Sequence, residues 1–158
     1  MAPPMIVCVD DQTEVLNAVG KDLEELGEHL NICECDSAAD ARSVLDEAAE
    51  QAQPVAVILA DCVMPEEDGV SLLTAIRDDA RFPHTRCILL TGQASHGQTI
   101  EAINAAHIDR YLAKPWRPEE LQQAVREQFT HWVLDSGADW QRYRSILDQD
   151  VLLKRLHG

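Results

Sequence analysis

Basic residues are scarce in this chain: 13 Lys and Arg stand against 28 Asp and Glu, a formal net charge of −15. A protein that holds nucleic acid directly needs a basic footprint to displace counterions, so this balance argues against such a role. Long apolar runs are missing too. The longest, "VAVILA" at 55–60, is far short of the ~20 residues that span a bilayer. The start, "MAPPMIVCVDD", has neither a basic n-region nor a long h-region, which predicts no secretory signal and a cytoplasmic location. Paired metal-binding cysteine motifs are also lacking. "CEC" at 33–35 does not have zinc-knuckle spacing, and no CxxC partner exists. Of the five cysteines, Cys8, Cys33, Cys35 and Cys87 sit in apolar, strand-like stretches and read as reduced, buried thiols. The six histidines show no ligand spacing and read as surface or packing residues.

What is present is an ordinary globular composition, 46% hydrophobic over 158 residues, enough for one domain with a sizeable core. Charge is unevenly spread. Residues 137–158 balance Arg142, Arg144, Lys154 and Arg155 against Asp139, Asp148 and Asp150, a net +1, which leaves −16 on residues 1–136. That shift predicts a boundary near "DSG" at 135–137, dividing a domain over 1–136 from a helical extension, or a linker to an output domain, over 137–158.

The domain alternates in pattern. Strands are predicted at 5–9, 30–35, 55–60, 86–91 and 109–113, and helices at 12–27, 37–51, 69–79, 97–107 and 117–134, with Ser37 as an N-cap. Five strands alternating with five helices predict a doubly wound α/β fold, its parallel five-stranded sheet covered by helices on both faces. In the tail, "ADWQRYRSILDQDVLLKRL" can be written as one helix capped by Asp139, with Trp140, Tyr143, Ile146, Leu147 and Val151 near one face. It either folds back on its own domain, pairs with a second subunit, or leads into an output domain.

In a sheet of this kind the functional crevice lies at the carboxyl ends of the strands. With strand order 2-1-3-4-5, those ends carry Asp10 and Asp11, then Asp61, then Thr91, then Lys114 with Pro115 beside it, while Asp36 falls off the crevice. Three converging carboxylates repel unless something neutralises them. An oxygen-seeking divalent cation does so, and Mg²⁺ fits. A carboxylate beside Mg²⁺ can also attack phosphorus, and a neighbouring hydroxyl and ammonium can hold the phosphoryl oxygens.

Together, Asp10-Asp11, "LADCVMPEEDG" around Asp61, "LLTGQA" at 89–94 and "YLAKPW" at 111–116 resemble the response-regulator receiver domain of two-component signalling, over about residues 4–134. The resemblance implies the flavodoxin-like fold and a role for each matching residue. Asp61 is the phosphoacceptor. Mg²⁺ is bound by Asp11, Asp61 and the backbone carbonyl of Val63, with Asp10 acting largely through water. Thr91 and Lys114 hold the phosphoryl group, and Thr91 with Tyr111 forms a switch. Pro65, Gly69 and Pro115 shape the turns. It also implies a phosphoryl donor, either a sensor histidine kinase or a phosphotransfer protein. The output is a changed face over 97–134 that controls a partner, a second copy or an output domain. No enzymatic activity is implied beyond self-catalysed phosphoryl acceptance and loss. Val63 departs from the family pattern, where the position two after the phosphoacceptor is often polar and helps set how fast water reaches the phosphoryl group. Trp116 either covers the loop after Lys114 or meets a partner. Two alternatives remain: a Mg²⁺-dependent phosphohydrolase of the haloacid dehalogenase class, whose acid spacing "DDQTE" does not match, and a degenerate receiver used only for interaction.

Overall fold

The structure is a computed structural model that describes residues 3–92 and 107–157. Five parallel strands form one sheet: β1 (Met5–Val9), β2 (Asn31–Cys35), β3 (Val55–Asp61), β4 (Arg86–Thr91) and β5 (Arg110–Ala113), in the order β2-β1-β3-β4-β5. The described helices are α1 (Thr13–Asp22), α2 (Ala38–Glu50), α3 (Gly69–Arg77), α4 (Pro118–Ser136) and α5 (Gln149–His157). The helix expected over 97–107 lies, except for His107, outside the described residues.

Strand alternation divides the core in two. In β1, Ile6 and Cys8 face Leu16 and Val19 of α1 and Leu121, Val125 and Phe129 of α4. Met5, Val7 and Val9 face Ala38, Ala41 and Leu45 of α2 and Leu72, Leu73 and Ile76 of α3. Both faces of β3 are therefore covered, and all seven of its residues are buried, which is why its sequence is an unbroken apolar run up to Asp61.

Local chemistry sets the boundaries. Ser37 Oγ accepts the Asp40 N–H at 3.0 Å and starts α2. Asp68 Oδ1 accepts the Ser71 N–H at 2.7 Å and starts α3. The first helix is shorter than its periodicity predicts. It ends at Asp22, and a 3-10 turn at Glu24–Leu26 replaces its last stretch, which lets Leu23 and Leu26 both turn fully into the core. Gly137, at φ 76°, closes α4 in the left-handed conformation that favours glycine.

The tail is two pieces rather than one helix. Asp139 does cap it, accepting the Gln141 N–H, but the capped segment, Trp140–Ile146, is a 3-10 helix. The chain then extends at Leu147, and Asp148 caps α5 by accepting the Val151 N–H at 3.0 Å. The Asp148 N–H is itself held at 2.8 Å by Thr130 Oγ1 of α4. This second cap stops a continuous helix from forming. It also changes the buried face: Tyr143, Ile146, Leu147 and Leu152 are buried, whereas Val151 is half-exposed. The segment folds back on α4, with Tyr143 edge-on to Phe129 at 5.4 Å and Phe129 stacked on Trp132 at 5.8 Å.

Replacing Tyr143 with alanine removes a buried ring and should cost about 3 kcal/mol in denaturant unfolding. Leu153→Ala, at a side chain 54% exposed, should change stability by less than about 0.5 kcal/mol. Equal, small effects at both positions would contradict a packed tail.

Candidate functional site

The acidic pole forms where β1 and β3 end side by side. After Val9 the chain stays in register, because the Asp10 N–H donates to the Cys35 carbonyl at 3.1 Å. Asp10 is completely buried, and both of its oxygens are engaged: Oδ1 accepts the Gln12 N–H at 2.9 Å and Oδ2 accepts Lys114 Nζ at 2.9 Å. Lys114 Nζ also lies 3.1 Å from Asp61 Oδ1. A single ammonium thus bridges two carboxylates from different strands. Asp11 is exposed, and Asp10, Asp11 and Asp61 each place an oxygen within 4.8 Å of the other two.

Asp61 is the last residue of β3 and is 8% exposed. Burial, and then the charge of Asp10, push its carboxyl above the ordinary range, and Lys114 offsets this only in part. For Lys114, burial alone lowers the pKa. The hydrogen bond to Asp10 and the charge of Asp61 outweigh burial, and the net shift is upward.

The chain turns sharply behind Asp61. The Cys62 N–H donates to the Leu90 carbonyl at 2.8 Å, and the Gly69 N–H returns to the Cys62 carbonyl at 3.1 Å. A Cβ at Gly69 would fall inside van der Waals contact of the Asp61 carbonyl oxygen. Only glycine lets α3 begin this close to the acidic residue. Within the turn the Pro65 carbonyl accepts the Glu67 N–H at 2.8 Å, Met64 is buried, and Val63 is 70% exposed.

Thr91 ends β4 and is 1% exposed. The Lys114 N–H donates to its carbonyl at 2.7 Å, which fixes where the lysine leaves β5, and the Lys114–Pro115 bond is cis. The β4–β5 register pairs Thr91 with Ala113, and strand alternation puts Tyr111, 37% exposed, on the same face as Thr91. Trp116 is half-buried, and its Nε1–H donates to Asp22 Oδ2 of α1 at 3.2 Å. The sequence did not single out Gln12, whose backbone N–H holds Asp10; its signal was its place just ahead of α1.

The donor set suits a hard cation. All the side-chain donors are carboxylate oxygens, and Mg²⁺ ligands at about 2.1 Å lie no more than about 4.2 Å apart. Asp10, Asp11 and Asp61 are therefore the side chains that would hold such an ion, directly or through water.

The profile of the response regulator receiver domain matches residues 6–126. The chain belongs to that family. Receiver domains bind Mg²⁺ through an acidic pocket, and this chain carries a cluster of Asp10, Asp11 and Asp61. This receiver is 30% identical to response regulator Rre1 of Synechocystis sp. over 161 residues, covering all of the chain and 67% of Rre1. It is 34% identical over 122 residues to the hydrogenase transcriptional regulatory protein HoxA of Cupriavidus necator, covering 77% of the chain and only 23% of HoxA. Among solved structures, the signal receiver domain of an HD domain-containing protein from Pseudomonas fluorescens superposes with a TM-score of 0.70 at 30% identity, over 83% of this chain and 98% of that one. Family membership sets aside the haloacid dehalogenase class. No helix among the described residues is long and apolar enough to cross a membrane.

The raised carboxyl of Asp61 means that its charge destabilises the cation-free fold. The penalty is present at neutral pH and is relieved as pH falls through the raised folded-state pKa, where the native state takes up the proton more readily than the unfolded chain. Without divalent cation, Asp61→Asn should therefore be more stable than the parent at pH 7, and this gain should shrink towards pH 4. Chemical denaturation at the two pH values checks this. A destabilised Asn variant at pH 7 would show that the Lys114 pairing outweighs burial and repulsion.

Proposed function

We propose that this receiver is a switch thrown by phosphorylation of Asp61. The observation that carries the reading is the division of labour between the two carboxylates that Lys114 bridges. Asp10 is sealed and has both oxygens engaged, so it is spent on structure and charge. Asp61 sits at the rim and gives one oxygen to Lys114, leaving the other to act as nucleophile.

That oxygen attacks the phosphorus of a phosphohistidine on a sensor histidine kinase or a phosphotransfer protein. The new O–P bond forms as the P–N bond breaks, and the electron pair of the P–N bond leaves with the imidazole. Asp61 becomes an acyl phosphate and the donor histidine is restored. Asp11, Asp61 and the Val63 backbone carbonyl would hold Mg²⁺, with Asp10 acting mainly through water, and the ion would supply positive charge at the transferring oxygens. The Lys114 ammonium neutralises another phosphoryl oxygen, and the Thr91 hydroxyl donates to a third.

The signal comes from Thr91. If its hydroxyl turns to the phosphoryl group, the space it vacates lies on the face shared with Tyr111, and the tyrosine can turn inward. Shifting such an equilibrium from 1:99 to 99:1 takes about 5.5 kcal/mol, within reach of a few charge-assisted hydrogen bonds at about 1.5–3 kcal/mol each. The responding surface is assigned to residues 97–134, of which 97–106 lie outside the described residues. In this reading residues 1–136 are the receiver and 137–158 an extension. A partner, a second copy or an output domain is engaged through these two segments, without direct nucleic-acid or membrane contact, in the cytoplasm. The only chemistry is self-catalysed gain and loss of the phosphoryl group.

Incubation with acetyl phosphate and Mg²⁺ should place one phosphoryl group on Asp61, located by mass spectrometry. Asp61→Asn should stay folded and unlabelled. Lys114→Met should slow labelling about a hundredfold, the usual loss when one preorganised charge is removed. No labelling of the parent protein would favour a receiver used only for interaction, and labelling at another residue would overturn the assignment.

A further inference from the structure

The loop after Asp61 is tied to the body of the protein by a side-chain clamp outside the acidic pole. Glu67, in that loop, takes two hydrogen bonds from the Arg42 guanidinium of α2: Nε to Oε1 at 2.8 Å and Nη2 to Oε2 at 2.6 Å. Ser71 Oγ of α3 donates to the same Oε2 at 3.0 Å. Fork-to-fork pairing fixes orientation as well as distance. The anchor is rigid, because α2 buries Ala38, Ala41 and Leu45 against the sheet. The loop needs such an anchor. Its ends are pinned through Cys62 and Gly69, but between them Met64 is the buried apolar side chain while Val63 stands 70% in solvent.

We infer that Arg42 and Glu67 are positioning residues for the phosphorylation site. By holding the loop against α2 and α3, they fix the backbone carbonyl of Val63 where the cation needs it. The inference rests on the proposed Mg²⁺ and phosphoryl chemistry at Asp61. Neither residue touches the reacting atoms; both act through the loop.

The clamp should be visible first without any metal. Hydrogen exchange of the amides over 63–67 in the cation-free protein should speed up severalfold in Arg42→Ala and Glu67→Ala, with exchange in β1 and β3 unchanged. Calorimetric titration with MgCl₂ should then show affinity falling about tenfold in each variant, the scale on which groups behind metal ligands act. Arg42→Lys, which keeps the charge but not the fork, should recover part of the loss. The double variant should lose no more than either single one, since both remove the same contact. Global stability should barely move, because the pair is exposed, with side chains 47% and 26% accessible.

Unchanged loop exchange together with unchanged Mg²⁺ affinity in both variants would overturn the clamp while leaving the Asp61 assignment intact. Additive losses in the double variant would also overturn it. A parent protein that binds no Mg²⁺ but shows the predicted exchange changes would instead refute the cation reading, leaving the clamp as a loop anchor without its positioning role.

Discussion

Lys114 holds the acidic pole together. Its ammonium lies 2.9 Å from Asp10 Oδ2 and 3.1 Å from Asp61 Oδ1, joining the ends of β1 and β3 through a side chain that leaves β5. Two carboxylates about 4 Å apart at an effective dielectric of ~20 repel by roughly 4 kcal/mol, and Asp11 adds a third negative charge to the same corner. The single cation among them reduces the conflict without removing it, as the raised carboxyl of Asp61 records. A charge conflict of this kind, left partly unresolved without a cation, suits the divalent ion that the proposed function places there.

The fold serves that corner. Burial on both sides of β1 and β3 fixes the register that sets Asp10 and Asp61 at the same edge, with α1 and α4 packed over one face and α2 and α3 over the other. Gly69 lets α3 start against the Asp61 backbone, and the Lys114 N–H bonded to the Thr91 carbonyl sets the height at which the ammonium enters. The tail does something different. It thickens the α4 side through Tyr143, Ile146, Leu147 and Leu152, and makes residues 140–157 part of the folded body.

Much of this was legible in the sequence, for a physical reason. Asp10 and Lys114 are 104 positions apart, yet both stand directly after apolar strands, and a parallel sheet brings all its strand ends to one edge. The strand ranges and the Ser37 cap could be read because each is a local pattern with a local cause, whereas the order 2-1-3-4-5 has no local signal and came with the doubly wound fold class. What could not be read depends on side chains choosing partners across the surface. Arg42 meets Glu67 over 25 residues with no periodicity to announce it, and both look like ordinary surface charges. The break in the tail was hidden because Asp148 reads equally well as a helix residue until Thr130 offers its N–H a partner. That exchange of one helix for two is also why Leu152, and not Val151, faces the core.

The most direct test is a crystal structure of the full chain grown with MgCl₂ and beryllofluoride, a mimic of an aspartyl phosphate. Beryllium bonded to Asp61, Mg²⁺ ligated by Asp11 and Asp61, and Lys114 moved onto a fluoride are the expected result. Density showing neither ion at the edge, with Lys114 still bridging Asp10 and Asp61, would contradict a shared cation and phosphoryl seat.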